Sequence, residues 1–196
     1  MQYTRSMQSK KLGEISGLIA GYTFRGALKS ESQGSNQVIL AKHINDDGSI
    51  NYSDLIQISQ ELPRTNAFVS KNDVLLSSRG VFRAGVFEKD EDNVIAASSM
   101  FILRIKKDNI TPEYLAIYLN SEAGQNSIQK ILTGSTIKTI LRRTLANLKI
   151  PIPPLPAQKQ IVEIIENWRK RERLLSKKMS LSKNIANGAI QKILTI

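Results

Sequence analysis

The sequence contains no cysteine and only one histidine among its 196 residues. Without cysteine there can be no disulfide, no zinc site built on thiolates and no thiol nucleophile. A single histidine leaves no multi-histidine metal site and removes most catalytic arrangements of serine, histidine and aspartate. We therefore expect His43 to be a strand or loop residue with no special role, and we expect no metal or other cofactor.

Long apolar runs are missing as well. No stretch approaches the roughly 18 to 20 apolar residues that cross a membrane. The first residues, MQYTRSMQSKKLGEI, lack the apolar core of a signal peptide. These features predict a cytoplasmic protein with no membrane partner. With 41% hydrophobic and 23% charged residues, the composition fits one soluble domain with an appended element.

The motifs of enzymes that cut or methylate DNA are also absent. The sequence has no Asp followed by Glu-x-Lys, no Asn/Asp-Pro-Pro-aromatic loop and no glycine-rich turn for a nucleotide or methyl donor. Pro153-Pro154 stands between Ile152 and Leu155, and so lacks the amide and the aromatic ring that hold a flipped base. We expect a protein with no catalysis of its own; the alternative is a DNA-acting enzyme with an unfamiliar active site.

Basic residues are in clear excess. Twenty-eight Lys and Arg against 17 Asp and Glu give a net charge of +11 and a pI near 9.9, which is typical of proteins that bind a polyanion. Residues 1–156 carry 19 basic and 14 acidic groups, whereas residues 157–196 carry 9 and 3. More than half of the excess therefore lies in the last fifth of the chain. The alternative is a basic scaffold without sequence preference.

The first part of the chain has the pattern of a mixed α/β domain. Short apolar runs bounded by polar turns predict strands at Val38–Ile44, Asp73–Ser77 and Ser99–Ile105. The residues that follow the first of these, Asn45 to Gly48, tolerate positive φ and predict a turn.

Two helices are predicted after these strands. Thr111-Pro112-Glu113 combines a capping residue, a proline suited to the first helical turn and an acid that favours the helix N-terminus. The apolar face of this helix consists of Tyr114, Leu115, Tyr118 and Leu119. Ser121-Glu122 repeats the capping pattern for a second helix that ends at about Leu132, before the polar loop 133–136.

Four of the six prolines lie in Pro151 to Pro156, within the run IPIPPLP. This run cannot form the interior of a helix, because proline lacks an N–H donor and crowds the preceding turn. We expect it to be extended. From Pro156 onward the only helix breaker is Gly188, which predicts one long helix. The fold class is therefore α+β, with a mixed α/β domain at 1–155 and a single long helix at 156–196.

Apolar residues recur along this helix at alternating spacings of four and three, which is the pattern of a coiled-coil seam. Of ten positions only Glu172 and Ser182 are polar. The other eight, which we name the seam, are Ile161, Ile165, Trp168, Leu175, Met179, Ala186, Ala189 and Ile193. Thirty-eight residues at 1.5 Å each span about 57 Å, more than one edge of so small a domain. The pattern favours self-association or a partner subunit; the alternative is that the helix packs on its own domain.

Basic residues beside glycine and small polar residues are candidates for DNA contact, because the backbone can approach phosphates and the side chains can reach base edges there. There are three such clusters, each with the alternative of a solvated turn. The Arg79 cluster contains Arg79 and Arg83; the Gly134 cluster contains Ser135, Thr136, Lys138, Arg142 and Arg143; the Arg25 cluster contains Arg25, Lys29, Lys42 and Asn45. The basic residues of the long helix fit a solvated face or a subunit contact better.

Several segments, taken in order, resemble the specificity subunits of type I restriction-modification systems. IPIPPLPAQKQIVEII is similar to the junction between a target recognition domain and a conserved helix in that family, where Pro-Pro-Leu-x-x-Gln-x-x-Ile recurs. KLGEI at Lys11–Ile15, the run from Asp73 to Gly80 and the Gly-Ser-Thr loop at 134–136 fit the same order. The resemblance spans nearly the whole chain.

The resemblance implies a recognition domain that contacts double-stranded DNA and long helices that pack as an antiparallel coiled coil, which sets the distance between two half-sites. Methylation and cleavage then belong to separate modification and restriction subunits. This chain has one recognition domain and one helix instead of two of each. That implies a homodimer reading a bipartite symmetric site, or a partial subunit that pairs with another. A recognition module for a single-chain methyltransferase-nuclease is a further alternative.

Overall fold

The computed structural model describes residues 8–31, 33–59 and 65–194. Their strands are β1 (Gln8–Lys11), β2 (Ser16–Ala20), β3 (Asn36–Ile39), β4 (Ile56–Ile58), β5 (Val74–Ser77), β6 (Ala84–Val86), β7 (Val94–Ala96), β8 (Met100–Ile105), β9 (Leu132–Thr133), β10 (Thr139–Ile140) and β11 (Lys149–Ile152). Their α-helices are α1 (Leu12–Ile15), α2 (Pro112–Asn120), α3 (Glu122–Gln129), α4 (Arg142–Ala146) and α5 (Leu155–Leu194). The predicted fold class is confirmed. The chain divides into two compact units between Lys159 and Gln160.

A four-stranded antiparallel sheet forms the centre of the first unit. Its strand order is β2-β8-β5-β6, and the two central strands are the apolar runs that the sequence pattern predicted. Leu75 of β5 lies opposite Ile102 of β8, and both are fully buried. The strand predictions for these two segments are therefore correct to within one residue.

A three-stranded sheet of order β4-β3-β7 lies against this sheet, with β3 and β7 parallel. The main core is the cluster between the two, and Val38, Ile95, Leu75 and Phe87 are among its fully buried members. Because side chains alternate across a strand, Val74 and the other residues next to Leu75 face the opposite side. There β5 and β6 contact α2. Strands β5 and β6, which are joined by the loop 78–83, are thus covered on both faces.

The predicted strand Val38–Ile44 is wrong beyond Ile39. Residues Ala41–His43 form a 3-10 turn, in which the His43 N–H donates to the carbonyl of Leu40 at 3.0 Å. The imidazole Nδ1 of His43 accepts the N–H of Leu40 at 3.1 Å. The His43 side chain therefore replaces a neighbouring strand as the acceptor for the Leu40 N–H, and β3 ends there. The predicted turn after it is present, with Gly48 at a φ of 79°.

The helix starts were predicted correctly, and one helix end was not. The Thr111 hydroxyl accepts the N–H of Tyr114 at 3.2 Å, and the Ser121 hydroxyl accepts that of Gly124 at 3.2 Å, as expected for N-caps. However, α3 ends at Gln129 instead of about Leu132. Leu132–Thr133 forms β9, which pairs with β10 in an antiparallel hairpin.

The proline-rich run is extended, as predicted. Its first part, β11, pairs antiparallel with β1, with Pro151 opposite Ser9. The hydroxyl of Tyr114 on α2 donates to the Pro151 carbonyl at 2.8 Å, and burial raises the pKa of Tyr114 to about 12. This bond joins α2 to the extended run.

Gln158, in the first turns of α5, fixes the helix start. Its amide is fully buried. The Nε2 group donates to the carbonyls of Asn109 and Pro153, both at 2.8 Å, and Oε1 accepts the N–H of Thr111 at 3.0 Å. We name this group of three hydrogen bonds the Gln158 latch. It holds the end of the proline run against the N-terminus of α2.

The long helix α5 contains 40 residues, a length of about 60 Å, which confirms the predicted long helix. Its residues beyond Arg169 are exposed within the chain. None of the helices in the described segments is long and apolar enough to cross a membrane.

Candidate nucleic-acid interface

The loop after β5 is closed by a buried serine. The hydroxyl of Ser77 accepts the N–H of Arg83 at 2.9 Å and donates to the carbonyl of Val81. Gly80 has a φ of 75°, a left-handed conformation that disfavours other residues. The loop therefore turns at Gly80 and leaves Arg79 exposed.

The hairpin between β9 and β10 is equally tight. Gly134 has a φ of 93°, and a Cβ atom there would lie 2.5 Å from the carbonyl oxygen of Ile137. Only glycine fits this turn. The hairpin thereby presents residues 135–138 to solvent, all of them exposed.

Main-chain hydrogen bonds join the loop to the hairpin. The Ser78 carbonyl accepts the N–H of Ile140 at 2.8 Å, and the N–H of Gly80 donates to the Lys138 carbonyl at 3.2 Å. Between these two bonds Arg79 and Thr139 form an antiparallel bridge, the arrangement in which opposite side chains come closest. Arg79 thus lies beside the hairpin of the Gly134 cluster. We name residues 78–81 together with 134–143 the loop surface.

The second half of the loop surface adds two arginines. They lie in α4, a single short turn that is anchored by the fully buried Leu145. Arg142 and Arg143 are both exposed. The structure therefore places all the residues of the Gly134 cluster on the outside of the domain.

The charge of the loop surface is uniformly positive. The sequence has no acidic residue between Glu122 and Glu163, and six basic ones. Residues 78–81 contain no acid either. In the described part of the chain Arg79, Lys138, Arg142 and Arg143 take part in no ion pair. Unpaired cations on an exposed surface without local carboxylates are available to an anionic partner.

Arg83 behaves differently from its neighbour Arg79. Its guanidinium forms an ion pair with Asp46 and donates to the Ile44 carbonyl at 3.4 Å. The amide of Asn45 donates to the Ser49 hydroxyl at 2.9 Å in the same turn. Arg83 and Asn45 therefore order the turn after β3, whereas sequence proximity had suggested that Arg83 acts with Arg79.

The remaining members of the Arg25 cluster are all exposed. Lys42 is exposed on the 3-10 turn, and Arg25 and Lys29 are exposed between β2 and β3. Among the described residues no hydrogen bond joins the segment 23–30 to the loop surface. The structure thus joins the Arg79 loop to the Gly134 hairpin by hydrogen bonds, and in the described ranges it shows no such link to Arg25 or Lys29.

Comparison with known proteins identifies the family. The family model of the type I restriction modification DNA specificity domain matches residues 5–180. The chain belongs to this family. The resemblance inferred from the proline-rich junction is therefore confirmed.

Two curated relatives of this specificity domain are type I restriction enzyme specificity subunits. The chain is 26% identical over 121 residues to the putative MjaX subunit of Methanocaldococcus jannaschii, covering 61% of the chain and 28% of the relative. It is 28% identical over 145 residues to the EcoBI subunit of Escherichia coli, covering 72% of the chain and 29% of the relative. The matched region thus spans under a third of each relative's length.

Solved structures share the fold of this specificity domain. A chain from a structure of a type I R-M system complex superposes with a TM-score of 0.68 at 18% identity, covering 93% of this chain and 43% of the other. The HsdS subunit from Thermoanaerobacter tengcongensis superposes with a TM-score of 0.62 at 20% identity, covering 90% and 41%. Both are more than twice as long as the part they share with this chain.

Within the described segments, His43 forms no hydrogen bond with the loop surface. It is buried, and its Nε2 atom has no hydrogen-bond partner in the part of the chain that the structure describes. Burial lowers the pKa of His43, the nearby Lys42 lowers it further, and Asp54 opposes both. The imidazole is therefore held neutral, and its contact with Leu40 gives it a structural role. The described residues contain no group of acidic and histidine side chains that could hold a metal ion.

The lowered pKa of His43 predicts a loss of stability on mild acidification. In the unfolded chain the imidazole has a pKa of about 6.5, so the unfolded state binds the proton more tightly than the folded state. The contribution of His43 to stability is complete above this value and is lost as the pH falls below it, within the interval from pH 7 to 5.5. We expect His43→Asn, which keeps an acceptor for Leu40 and cannot titrate, to lose much less over that interval. Urea midpoints of both proteins at each pH measure the difference; parallel curves would contradict it.

Sequence reasoning missed two sets of exposed apolar residues. Val81 and Ile137, on the loop surface, are 63% and 62% exposed; their only sequence signal is an apolar residue inside a glycine-containing turn. On α5, Leu174, Leu181 and Ile185 are exposed outside the seam. Their spacings of seven and four residues form a second apolar row along the helix.

Proposed function

We propose that the loop surface reads double-stranded DNA in a non-catalytic specificity subunit of a type I restriction-modification system. The observation that carries this proposal is the pair of main-chain hydrogen bonds that joins the Arg79 loop to the Gly134 hairpin in one exposed basic surface. Membership in the specificity-domain family supports the choice of DNA as the anionic partner.

The side chains of the loop surface suit two kinds of DNA contact. The guanidinium of Arg79 is a planar fork that can donate to O6 and N7 of guanine in the major groove. Lys138, Arg142 and Arg143 suit phosphates, which supply affinity that depends on salt. The hydroxyls of the hairpin tip, Ser135 and Thr136, can form hydrogen bonds with base edges or with phosphates. Arg83 then has a supporting role: its N–H bonds to Ser77 and its guanidinium pairs with Asp46.

We propose residues 1–155 as the recognition domain and 156–196 as the assembly helix. One recognition domain reads one half-site, so a bipartite symmetric site requires two copies of this chain. The seam supports a homodimer: Trp168, Leu175 and Met179 are exposed in the single chain, and two antiparallel helices related by a two-fold axis bury such a stripe. Pairing with another partial specificity subunit would use the same stripe.

Methylation and cleavage of cytoplasmic DNA are assigned to partner subunits. The second apolar row, formed by Leu174, Leu181 and Ile185, supports a further helical partner beyond the dimer. Separate modification and restriction polypeptides fit that role. Co-purification distinguishes this assembly from the alternative, in which the chain binds one single-chain methyltransferase-nuclease. Cutting or methylation of DNA by the purified chain alone, given Mg²⁺ or a methyl donor, would contradict the non-catalytic assignment.

Substitutions on the loop surface test the DNA-reading proposal. A duplex is first selected by the chain from a random pool. We expect Arg79→Ala to weaken binding to it by about 1 to 3 kcal/mol, roughly 5- to 150-fold, because a bidentate base contact is lost. Arg143→Ala should also weaken binding. If Arg143 contacts phosphate, its loss weakens binding to all sequences and reduces the salt slope by about 1. Fluorescence anisotropy titrations at several salt concentrations measure both quantities.

The matched control is Lys107→Ala, which removes an exposed cation beyond the end of β8, whereas Ser77 pairs with the start of that strand. We expect it to bind the selected duplex like the wild type. Equal affinities for all three variants would remove the loop surface from the interface.

A further inference from the structure

Two branched apolar side chains stand out on the loop surface. The hydrogen bond from the Gly80 N–H to the Lys138 carbonyl joins the loop to the hairpin. Val81 follows Gly80 directly, and Ile137 precedes Lys138 directly. The two side chains therefore lie on adjacent segments, one residue from the same hydrogen bond. Neither belongs to the buried core.

The main chain beneath these side chains is fixed. Val81 is held through its carbonyl by the buried Ser77 hydroxyl. Ile137 is held by the turn at Gly134, which leaves no room for a Cβ atom. Both residues are also β-branched, which restricts the first side-chain torsion. A contact made by such side chains loses little conformational entropy.

The surroundings select the kind of partner. Arg79 and Lys138 lie beside the two apolar side chains, and the loop surface contains no acidic residue. This charge suits a polyanion better than another basic chain of the same sequence. On the major-groove edge of DNA the apolar group available for contact is the 5-methyl of thymine.

We infer, on the basis of the proposed function, that Val81 and Ile137 recognise thymine through contact with its 5-methyl group. The half-site read by the loop surface then contains a T·A pair next to the bases contacted by Arg79. Discrimination at that pair comes from apolar contact, whereas discrimination at the neighbouring pairs comes from hydrogen bonds.

Replacing thymine by uracil tests this inference, because the exchange removes only the methyl group. Each thymine of the selected duplex is replaced in turn, and the affinity of the full chain is measured. We expect one replacement to weaken wild-type binding by about fourfold, because the burial of one methyl carbon is lost. At least one of Val81→Ala and Ile137→Ala should bind the thymine and uracil duplexes equally.

Two controls accompany this pair of variants. Ile137→Val retains a branched apolar side chain and should keep the fourfold difference, as should Lys107→Ala. Thermal unfolding midpoints equal to the wild type establish that the alanine variants are folded, as their exposure leads us to expect.

The outcomes separate the inference from the proposed function. If no sequence is selected from the random pool, the proposed function fails. If a sequence is selected but contains no thymine, or if Val81→Ala and Ile137→Ala both keep the wild-type sensitivity to uracil, the inference fails and the function stands. Loss of binding to a methyltransferase subunit, with uracil sensitivity unchanged, would assign the two side chains to a protein contact and overturn the inference.

Discussion

Gln158→Leu is expected to lower the free energy of unfolding by about 3 kcal/mol. The substitution keeps the approximate size of the side chain and removes all three hydrogen bonds of the Gln158 latch. The N–H of Thr111 and the carbonyls of Asn109 and Pro153 then lose their partner. Each buried polar group left without a hydrogen bond costs about 1 to 3 kcal/mol. Two of the three bonds are only partly buried, so water recovers some of this cost.

Urea unfolding followed by circular dichroism measures the change. The control is Gln160→Leu, the same substitution at an exposed position two residues further along α5, for which we expect a change within about 0.5 kcal/mol. If both variants unfold at the same urea concentration, the latch does not stabilise the junction.

The second large effect is expected in the seam. Ile165→Asp combined with Leu175→Asp should convert a dimer to a monomer, because it places two carboxylates per chain in an interface that excludes water. Burying an unpaired charge costs several kcal/mol, and an antiparallel two-fold dimer would contain four. Light scattering over a range of concentrations should give half the wild-type mass.

The control for the seam introduces the same carboxylates on the opposite side of α5. Lys170→Asp and Lys177→Asp lie outside the seam by helical spacing, and both positions are exposed. This variant should retain the wild-type mass. A wild-type chain that is monomeric at every concentration would contradict the homodimer and leave the seam to a different subunit.

The parts of the fold that the sequence predicted are those determined by local chemistry. Thr111 and Pro112 start α2 through a cap and a fixed φ, which act within one turn. The long apolar run of β8 and the proline-rich segment are likewise visible without knowledge of their partners. The same holds for α5, whose sequence is almost free of breakers.

The errors arise where a distant or unusual partner decides the structure. VILAKHI has the pattern of a strand, yet the side chain of His43 accepts the Leu40 N–H and ends the strand. Leu132 continues a helical pattern, but pairing with Ile140 draws it into a hairpin. The pairing of β1 with β11 joins segments about 140 residues apart, and no local pattern in either segment indicates it.

The sequence predicted most residues of the candidate site but not how the fold brings them together. Arg79 and the Gly134 cluster were selected separately, because glycine beside basic residues favours close approach to phosphate. Their union depends on two hydrogen bonds across some 60 residues of sequence. Arg83 was grouped with Arg79 because only a tertiary contact reveals its partner, Asp46. Val81 and Ile137 were missed because their one signal, an apolar residue inside a glycine-containing turn, does not distinguish an exposed residue from a core residue.

The hairpin at 134–138 also has a consequence for how this chain tolerates substitution. Its exposed side chains contribute almost nothing to the core, whereas its shape depends on one glycine, Gly134, and on main-chain bonds that any residue can make. Replacements at 135–138 therefore change the outer chemistry at little cost in folding free energy. A mutational library confined to these four positions should be well tolerated, so that the exposed chemistry of the hairpin can be altered by substitution alone, without compensating changes elsewhere in the domain.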